Sequence, residues 1–395
     1  MSPRTSRIVG IALVGMLAGC GGESSRAGSQ AAPSPVAPSS AAPSSAPPST
    51  AAPPPAPSSP PAPAPAAPAP AADGPLDTSN PQVLTTGLEA PWGLAFLPGG
   101  DALVSERDTA RILRVPAAGG RPSVLTTVPG VLPRGEGGLL GLAVSPNFAS
   151  DSLVFAYFTA RDDNRIVRFR LDRPQDLTPI VTGIPKAAIH NGGRLAFGPD
   201  GLLYAGTGDA ANSALAQDPR SLGGKVLRMT PDGKPAEPAG SLVFSRGHRN
   251  VQGIAFDDAG RVYAVEFGQN RFDEVNQVVA GSNGGWPEVE GPGTGGGRFL
   301  APITTWDTSE SSPSGAAFVD GSLWVAALRG ERLWRVPLDG KGGAGPPESL
   351  YQGRFGRLRA AERAPDGSLW VLTSNRDGRG DPVAADDRIL RLPPR

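Results

Sequence analysis

The chain is nearly without cysteine: 395 residues contain one, Cys20, so no disulfide can form within it and no thiol nucleophile remains further along. Histidine is almost as scarce. Only His190 and His248 are present, which leaves two candidates for an imidazole general base. Neither sign of charge is in excess: 37 basic residues balance 37 acidic ones, and the basic residues are scattered, so there is no electrostatic case for a nucleic-acid partner. No apolar run reaches the ~20 residues that a membrane-spanning helix needs. No Gly-x-Ser-x-Gly elbow precedes a helix, and no phosphate loop ends in Gly-Lys-Ser/Thr. The glycines between Gly291 and Gly297 lack the strand-turn-helix context of a dinucleotide fingerprint and read as a loop. Few segments show helical periodicity.

What is there begins with three zones. Residues 1–19 read as an export signal, with Arg4 and Arg7 ahead of the short apolar run Ile8 to Ala18. Leu17-Ala18-Gly19-Cys20 resembles the lipobox of bacterial lipoproteins, which implies an extracytoplasmic protein carrying lipid on Cys20 and touching the membrane through that lipid only. Residues 20–75 are dominated by Ala, Pro and Ser. Such a segment has little to bury and favours an extended polyproline conformation, reaching on the order of 100 Å or more at ~3.1 Å per residue. It reads as a stalk. Residues 76–395 form the working domain.

That domain repeats one pattern six times: an apolar strand, a turn, a second β-rich strand, a loop, then a strand of the form basic-apolar-apolar-Arg-apolar. The third strands begin at Arg111, Arg165, Lys225, Arg332 and Arg388, while the fourth copy is less regular around Asp273-Glu274-Val275-Asn276. Turns such as Pro199-Asp200-Gly201 link the first two strands. Repeats of this kind predict an all-β fold, a six-bladed β-propeller of four-stranded antiparallel blades. The segment Gln82-Val83-Leu84 is expected to pair with the last blade and close the ring. The longest insertions are expected between the second and third strands of blades three, four and six, at the end of the channel where sites form.

His190 stands directly before a glycine turn and a strand, and His248 lies in Gly247-His248-Arg249-Asn250. With Ala90-Pro91-Trp92-Gly93-Leu94-Ala95-Phe96, Glu136-Gly137-Gly138-Leu139-Leu140-Gly141, His190-Asn191-Gly192-Gly193-Arg194-Leu195, Glu266-Phe267-Gly268-Gln269 and Asn283-Gly284-Gly285-Trp286-Pro287, the chain resembles the pyrroloquinoline-quinone (PQQ) sugar dehydrogenases, the glucose/sorbosone dehydrogenase family, over residues 85–392. The resemblance implies oxidation of a sugar C1 hydroxyl to the lactone, with PQQ and Ca2+ as cofactors and an unidentified electron acceptor. It makes His190 the catalytic base, and imidazole suits that task because its ordinary pKa is ~6.5. It makes Glu136, Arg249, Asn250, Trp306, Thr308, Arg329, Arg357 and Arg359 cofactor contacts, the arginines matching three carboxylates on a planar quinone. Gly268 and Gln269 would hold the activating calcium through backbone carbonyls, and Glu274 with Gly284 a second calcium. His248 would support its loop by hydrogen bonding.

Four positions depart from the family pattern. Glu136 stands where a glutamine often contacts the cofactor, which adds negative charge beside an anion. Ile189 replaces an aspartate before the base, removing a hydrogen-bonding partner. Phe267 and Gln269 replace the polar and proline residues flanking the calcium glycine. Two other readings stay open at this point: a metal-dependent lactonase-type hydrolase, and a non-catalytic envelope binding propeller.

Overall fold

The computed structural model describes residues 74–238 and 240–395; the signal segment, Cys20 and nearly all of the stalk lie outside the described residues. The first strand, β1 (Gln82–Thr85), stands apart from the five complete blades that follow it in the chain. Blade one is β2 (Pro91–Phe96), β3 (Ala102–Glu106), β4 (Arg111–Val115) and β5 (Ser123–Thr127). Blade two is β6 (Leu139–Val144), β7 (Leu153–Thr159), β8 (Asn164–Arg170) and β9 (Arg173–Ile184), with the single-turn helix α1 (Phe148–Asp151) between its first two strands. Blade three is β10 (Leu195–Phe197), β11 (Leu203–Gly206), β12 (Lys225–Met229) and β13 (Val243–Arg246), with α2 (Ala214–Gln217) in its long loop. Blade four contains β14 (Val251–Phe256), β15 (Val262–Glu266) and β16 (Phe272–Val278). The chain then lays β17 (Ser282–Asn283) parallel to β13 before returning as the fourth strand, β18 (Thr304–Asp307). Blade five is β19 (Pro313–Val319), β20 (Ser322–Ala327), β21 (Arg332–Pro337) and β22 (Glu348–Leu350). Blade six is β23 (Leu358–Arg363), β24 (Leu369–Thr373) and β25 (Ile389–Leu392), and β1 completes it. The fold is the six-bladed propeller that the repeat predicts.

Burial explains the strand composition. Middle strands such as β7 and β20 are buried along almost their whole length because each blade packs on both faces, which suits runs like Leu-Val-Phe-Ala-Tyr-Phe. Around the axis the innermost strands crowd, and the repeated glycine of the first strand answers that crowding. A Cβ on Gly141 would stand 2.2 Å from the Gly193 carbonyl oxygen, and one on Gly253 2.3 Å from that of Ser314. The expected ring closure is present: β1 pairs antiparallel with β25, Gln82 facing Arg391 and Val83 facing Leu390.

One expectation about the insertions is corrected. Blades three and six do carry long loops between their second and third strands, from Gly206 to Lys225 and from Thr373 to Ile389. In blade four that loop is short, from Glu266 to Phe272, and the insertion follows the third strand instead, from Val278 to Thr304. Through β17 it runs up the outer edge of blade three, which brings residues 284–290 to the same end as His190. No helix among the described residues is long and apolar enough to cross a membrane.

Candidate active site

In an antiparallel blade the second-to-third-strand loops and the connections to the next blade emerge at one end. The residue heading each third strand fixes its loop there, which accounts for the basic residue in the repeat. Arg111 pairs with Glu106 at 2.6 Å, Arg165 with Asp163 at 2.7 Å and Arg388 with Asp386 at 2.7 Å, while Arg332 Nε donates to the Gly330 carbonyl at 2.9 Å. Lys225, fully buried, donates from Nζ to the carbonyls of Leu215, Ala216 and Gly223 at 2.7, 3.0 and 2.6 Å. Burial pulls its pKa down to about 8. Blade four reverses the sign: Asp273 accepts the N–H of Gly268 at 2.9 Å and that of Ser312 at 2.6 Å.

His190 lies in the connection entering β10 with φ of 58°, a left-handed conformation that a non-glycine residue adopts at a cost of about 1–3 kcal/mol. Its neighbours impose it. The His190 N–H donates to Glu136 Oε2 at 2.9 Å and its carbonyl accepts from Ala210 N at 3.1 Å. Gly208 allows that approach, since a Cβ there would stand 1.9 Å from the His190 oxygen. His190 Nδ1 is 2.7 Å from Asp209 Oδ1. An ionised carboxylate only accepts, so Nδ1 carries the hydrogen and Nε2 presents its lone pair. Asp209 is itself fixed, accepting Ala211 N on Oδ1 and the Trp286 indole N–H on Oδ2, both at 2.9 Å. His248 has neither nitrogen left: Nδ1 pairs with Glu266 at 2.7 Å and Nε2 with Ser245 Oγ at 2.8 Å. Of the two imidazoles, only His190 keeps a free nitrogen.

Asp209 also answers the departure at Ile189, which is exposed. A carboxylate for the base is supplied from the β11–β12 loop rather than by the preceding residue. Glu136 is likewise committed, with Oε2 on His190 N and Oε1 on Arg379 at 3.0 Å. Its charge is paired within the protein and it secures the His190 connection.

Arginines dominate the centre of this end. Arg357 and Arg359 converge on Asp377 Oδ2 at 2.9 and 3.3 Å, and Arg107 donates to the Asp377 carbonyl at 3.1 Å. Arg359 also donates to Gln252 Oε1 at 2.9 Å and stands over the Trp92 ring. Its buried Nε has no partner among the described residues. Burial pulls the Arg359 pKa down to about 9; Asp377 opposes this, while Arg107 and Arg357 add to it. Arg249 donates to the Phe267 carbonyl at 3.1 Å and lies over Trp286. Asn250 is fully buried; its Oδ1 accepts Gly192 N at 2.9 Å and its Nδ2 is unpaired among the described residues. A narrow cleft lies among these side chains, lined by Trp92, Arg107, Glu136, Phe267, Arg359 and Asp377; His190, Arg249, Asn250 and Arg357 are not part of its lining. Crowded cations and buried donors without acceptors are stabilised by an anionic, multiply accepting ligand. A flat tricarboxylate quinone fits that description.

The Phe267–Gly268–Gln269 turn fits a hard cation. Neither the Gly268 nor the Gln269 carbonyl accepts a hydrogen bond from the described residues. Glu274 and Gly284 line a small cavity together with Glu266 and Glu290, and Phe267 and Gly268 of the same turn border it. Burial and the adjacent Glu266 push Glu274 well above the ordinary carboxylate range, a shift that a cation in that cavity would reverse. Even so, no group of three or more His, Cys, Asp or Glu is gathered for a metal among the described residues.

Three expected cofactor contacts fall elsewhere. Trp306 is buried in the core between blades four and five, its ring stacked on Trp334 at 5.4 Å, so it does not reach the cleft. Pairing of β18 with β16 sets that orientation. Thr308 follows β18 in a turn, half-buried and outside the cleft lining. Arg329 is exposed at the end of β20, in the second-to-third-strand loop of blade five, and does not line the cleft. Sequence reading missed Asp209, Asp377, Arg107, Arg379 and Gln252. The only signal for Asp209 was an acid directly after Gly206-Thr207-Gly208, in the loop of the blade that His190 enters.

Residues 88–390 match the family described as glucose/sorbosone dehydrogenase. Among solved structures, the PQQ-bound aldose sugar dehydrogenase of Streptomyces coelicolor is 54% identical, covering 82% of this chain and 99% of that one with a TM-score of 0.77. The aldose sugar dehydrogenase of Escherichia coli is 28% identical over 343 residues, 76% of this chain and 91% of that protein. Quinoprotein glucose dehydrogenase B of Acinetobacter calcoaceticus is 30% identical over 254 residues, 53% of this chain and 52% of that protein.

Proposed function

The chain belongs to the glucose/sorbosone dehydrogenase family, and from that premise we propose that it is a PQQ- and calcium-dependent enzyme oxidising the C1 hydroxyl of an aldose-type sugar to the lactone. The observation that carries the reading is the His190–Asp209 pair, its Nε2 free, at the end of the ring where the buried Arg359 Nε and Asn250 Nδ2 lack acceptors among the described residues. When bound, the quinone supplies the acceptor for the hydride that leaves C1. His190 Nε2 takes the hydroxyl proton, and the Asp209 carboxylate steadies the imidazolium that results. Arg359, Arg357, Arg249 and Arg107 hold carboxylates and fix the plane of the ligand, while Trp92 and Phe267 wall it. The carbonyls of Gly268 and Gln269 hold the activating calcium, and Glu274 with Gly284 is the candidate second site. Arg329 remains a candidate for contacts at the rim.

The lactonase alternative wants side-chain carboxylates and amides around one axial metal, and no such carboxylate cluster is gathered among the described residues. The sugar and the electron acceptor are partners that the chemistry requires, and a lipid on Cys20 would place the reaction outside the cytoplasm at the membrane. Calorimetric titration with PQQ, with and without calcium, tests the reading. Tight calcium-dependent binding, followed by dye-coupled aldose oxidation abolished in His190→Ala, is the expected result. Absence of PQQ binding would sink the dehydrogenase and leave a docking propeller.

A further inference from the structure

Glu290 belongs to the blade-four insertion, three residues after the cis Trp286–Pro287 bond. Its Oε1 accepts four consecutive backbone N–H groups: Gln269 at 2.7 Å, Asn270 at 3.1 Å, Arg271 at 3.1 Å and Phe272 at 3.2 Å. Successive amides turned onto one anion form a nest, and here the anion is part of the protein.

The direction of those amides decides where the carbonyls go. The bonds joining Gly268 to Gln269 and Gln269 to Asn270 are not among the cis peptides of the chain. In a planar trans peptide the C=O of one residue and the N–H of the next point in opposite directions. With the N–H groups of Gln269 and Asn270 drawn onto Glu290, the Gly268 and Gln269 carbonyls are turned to the side away from it. The Gly268 N–H is separately held by Asp273, so the turn is pinned at both ends. The two carbonyls offered to calcium are therefore oriented from behind.

We propose that Glu290 is a positioning residue for cation binding: by filling the amide nest it holds the Gly268 and Gln269 carbonyls as a ready pair of ligands. The inference rests on the calcium reading given above. A neutral amide at 290 keeps the size but loses the charge, and hydrogen bonds to an ionised acceptor are roughly twice as strong as neutral ones. The turn then samples other peptide orientations and the carbonyl pair is lost for part of the time.

The test uses the full chain free of PQQ and metal, in a Glu274→Gln background that weakens the neighbouring cavity, which Glu266 and Glu290 also line. Amide hydrogen exchange of residues 269–272 is followed without metal, and CaCl2 is then titrated calorimetrically. Glu290→Gln should speed exchange at these amides about tenfold or more and weaken Ca2+ binding by a similar factor. Glu290→Asp, one methylene shorter, should fall between. Unchanged Ca2+ affinity in Glu290→Gln overturns the inference alone. A loss of Ca2+ affinity without faster exchange at 269–272 assigns Glu290 to that cavity and also overturns the inference. Failure of the Glu290-containing protein to bind Ca2+ overturns the calcium reading and the inference with it.

Discussion

Replacing Asp209 by asparagine removes one charge and exchanges one acceptor oxygen for a donor, at a site where all three hydrogen bonds point inward. Oδ1 serves His190 Nδ1 and Ala211 N, while Oδ2 serves Trp286 Nε1. Asparagine has two orientations and neither satisfies the set. With its oxygen toward His190, its NH2 group confronts the indole N–H at the 2.9 Å contact. With its NH2 toward His190, Nδ1 has to accept, the ring proton moves to Nε2, and the base is lost. The first orientation leaves a buried donor unsatisfied, about 1–3 kcal/mol, and also forfeits a charge-assisted bond to the imidazolium of about 1.5–3 kcal/mol. The second forfeits most of the ~10²–10⁴-fold that general base catalysis contributes. Asp209→Asn should therefore lower kcat by about 10²–10⁴-fold in a dye-coupled assay at saturating PQQ and calcium. KM for the aldose should stay within about threefold and PQQ affinity should be unchanged, because the Asp209 carboxylate bonds none of the cleft arginines. A folded Asp209→Asn enzyme with kcat within threefold of wild type would refute the assignment.

Other perturbations separate the remaining parts. Asp377→Asn leaves Arg357 and Arg359 without their counter-charge and should destabilise the PQQ-free protein by about 3–5 kcal/mol in urea unfolding, with part of the loss restored by added PQQ. Equal stability of the two proteins would count against the ion-pair reading. Glu362 faces the opposite end of the channel, 3.8 Å from Arg194, and burial raises its pKa from 4.5 to about 7. The folded form then binds a proton that the unfolded form has released, so stability falls as pH rises from about 4.5 to 7, by less than about 3 kcal/mol because the Glu362 side chain keeps some exposure. Glu362→Gln should flatten that slope, and denaturant midpoints at pH 5 and pH 8 will show whether it does. Lys225→Met strips the donor from two buried carbonyls and one part-buried one and should lower stability by several kcal/mol, on the order of 1–3 per unsatisfied buried group. It should depress kcat as well, since the same loop carries Asp209; an unchanged melting temperature would contradict this.

The sequence showed the ring better than its rim. First and second strands stood out because both faces are buried, and the head of each third strand carried a charge. The fourth strands stayed invisible: β5 and β22 lie outermost, half in solvent, and their weak alternation resembles a loop. The two-residue β17 left no trace at all, which is why the blade-four insertion was assigned to the wrong loop. Within the site, His190 stood out because the chain has only two histidines, whereas Arg357 and Arg359 were singled out through the resemblance and their spacing on one face of a strand. Asp209 and Asp377 were not, because each acts across a gap that only the packing of loops closes. The apparent loss at Ile189 was inferred from the neighbouring position, whereas the partner sits nineteen residues further on. Trp306 was expected at the cofactor through the resemblance, and in the structure Trp334 takes its face.

The seam in blade six has a consequence for the order of synthesis. Gln82 on β1 bonds Arg391 on β25 across 309 positions, so the first strand made waits for the last. While the ribosome is still at work, five blades can assemble in sequence but the circle has no clasp. A chain cut short before Ile389 would keep every group of the active end and still lack the strand that joins β1 to β24. Loss of β25 should therefore unfasten the whole ring.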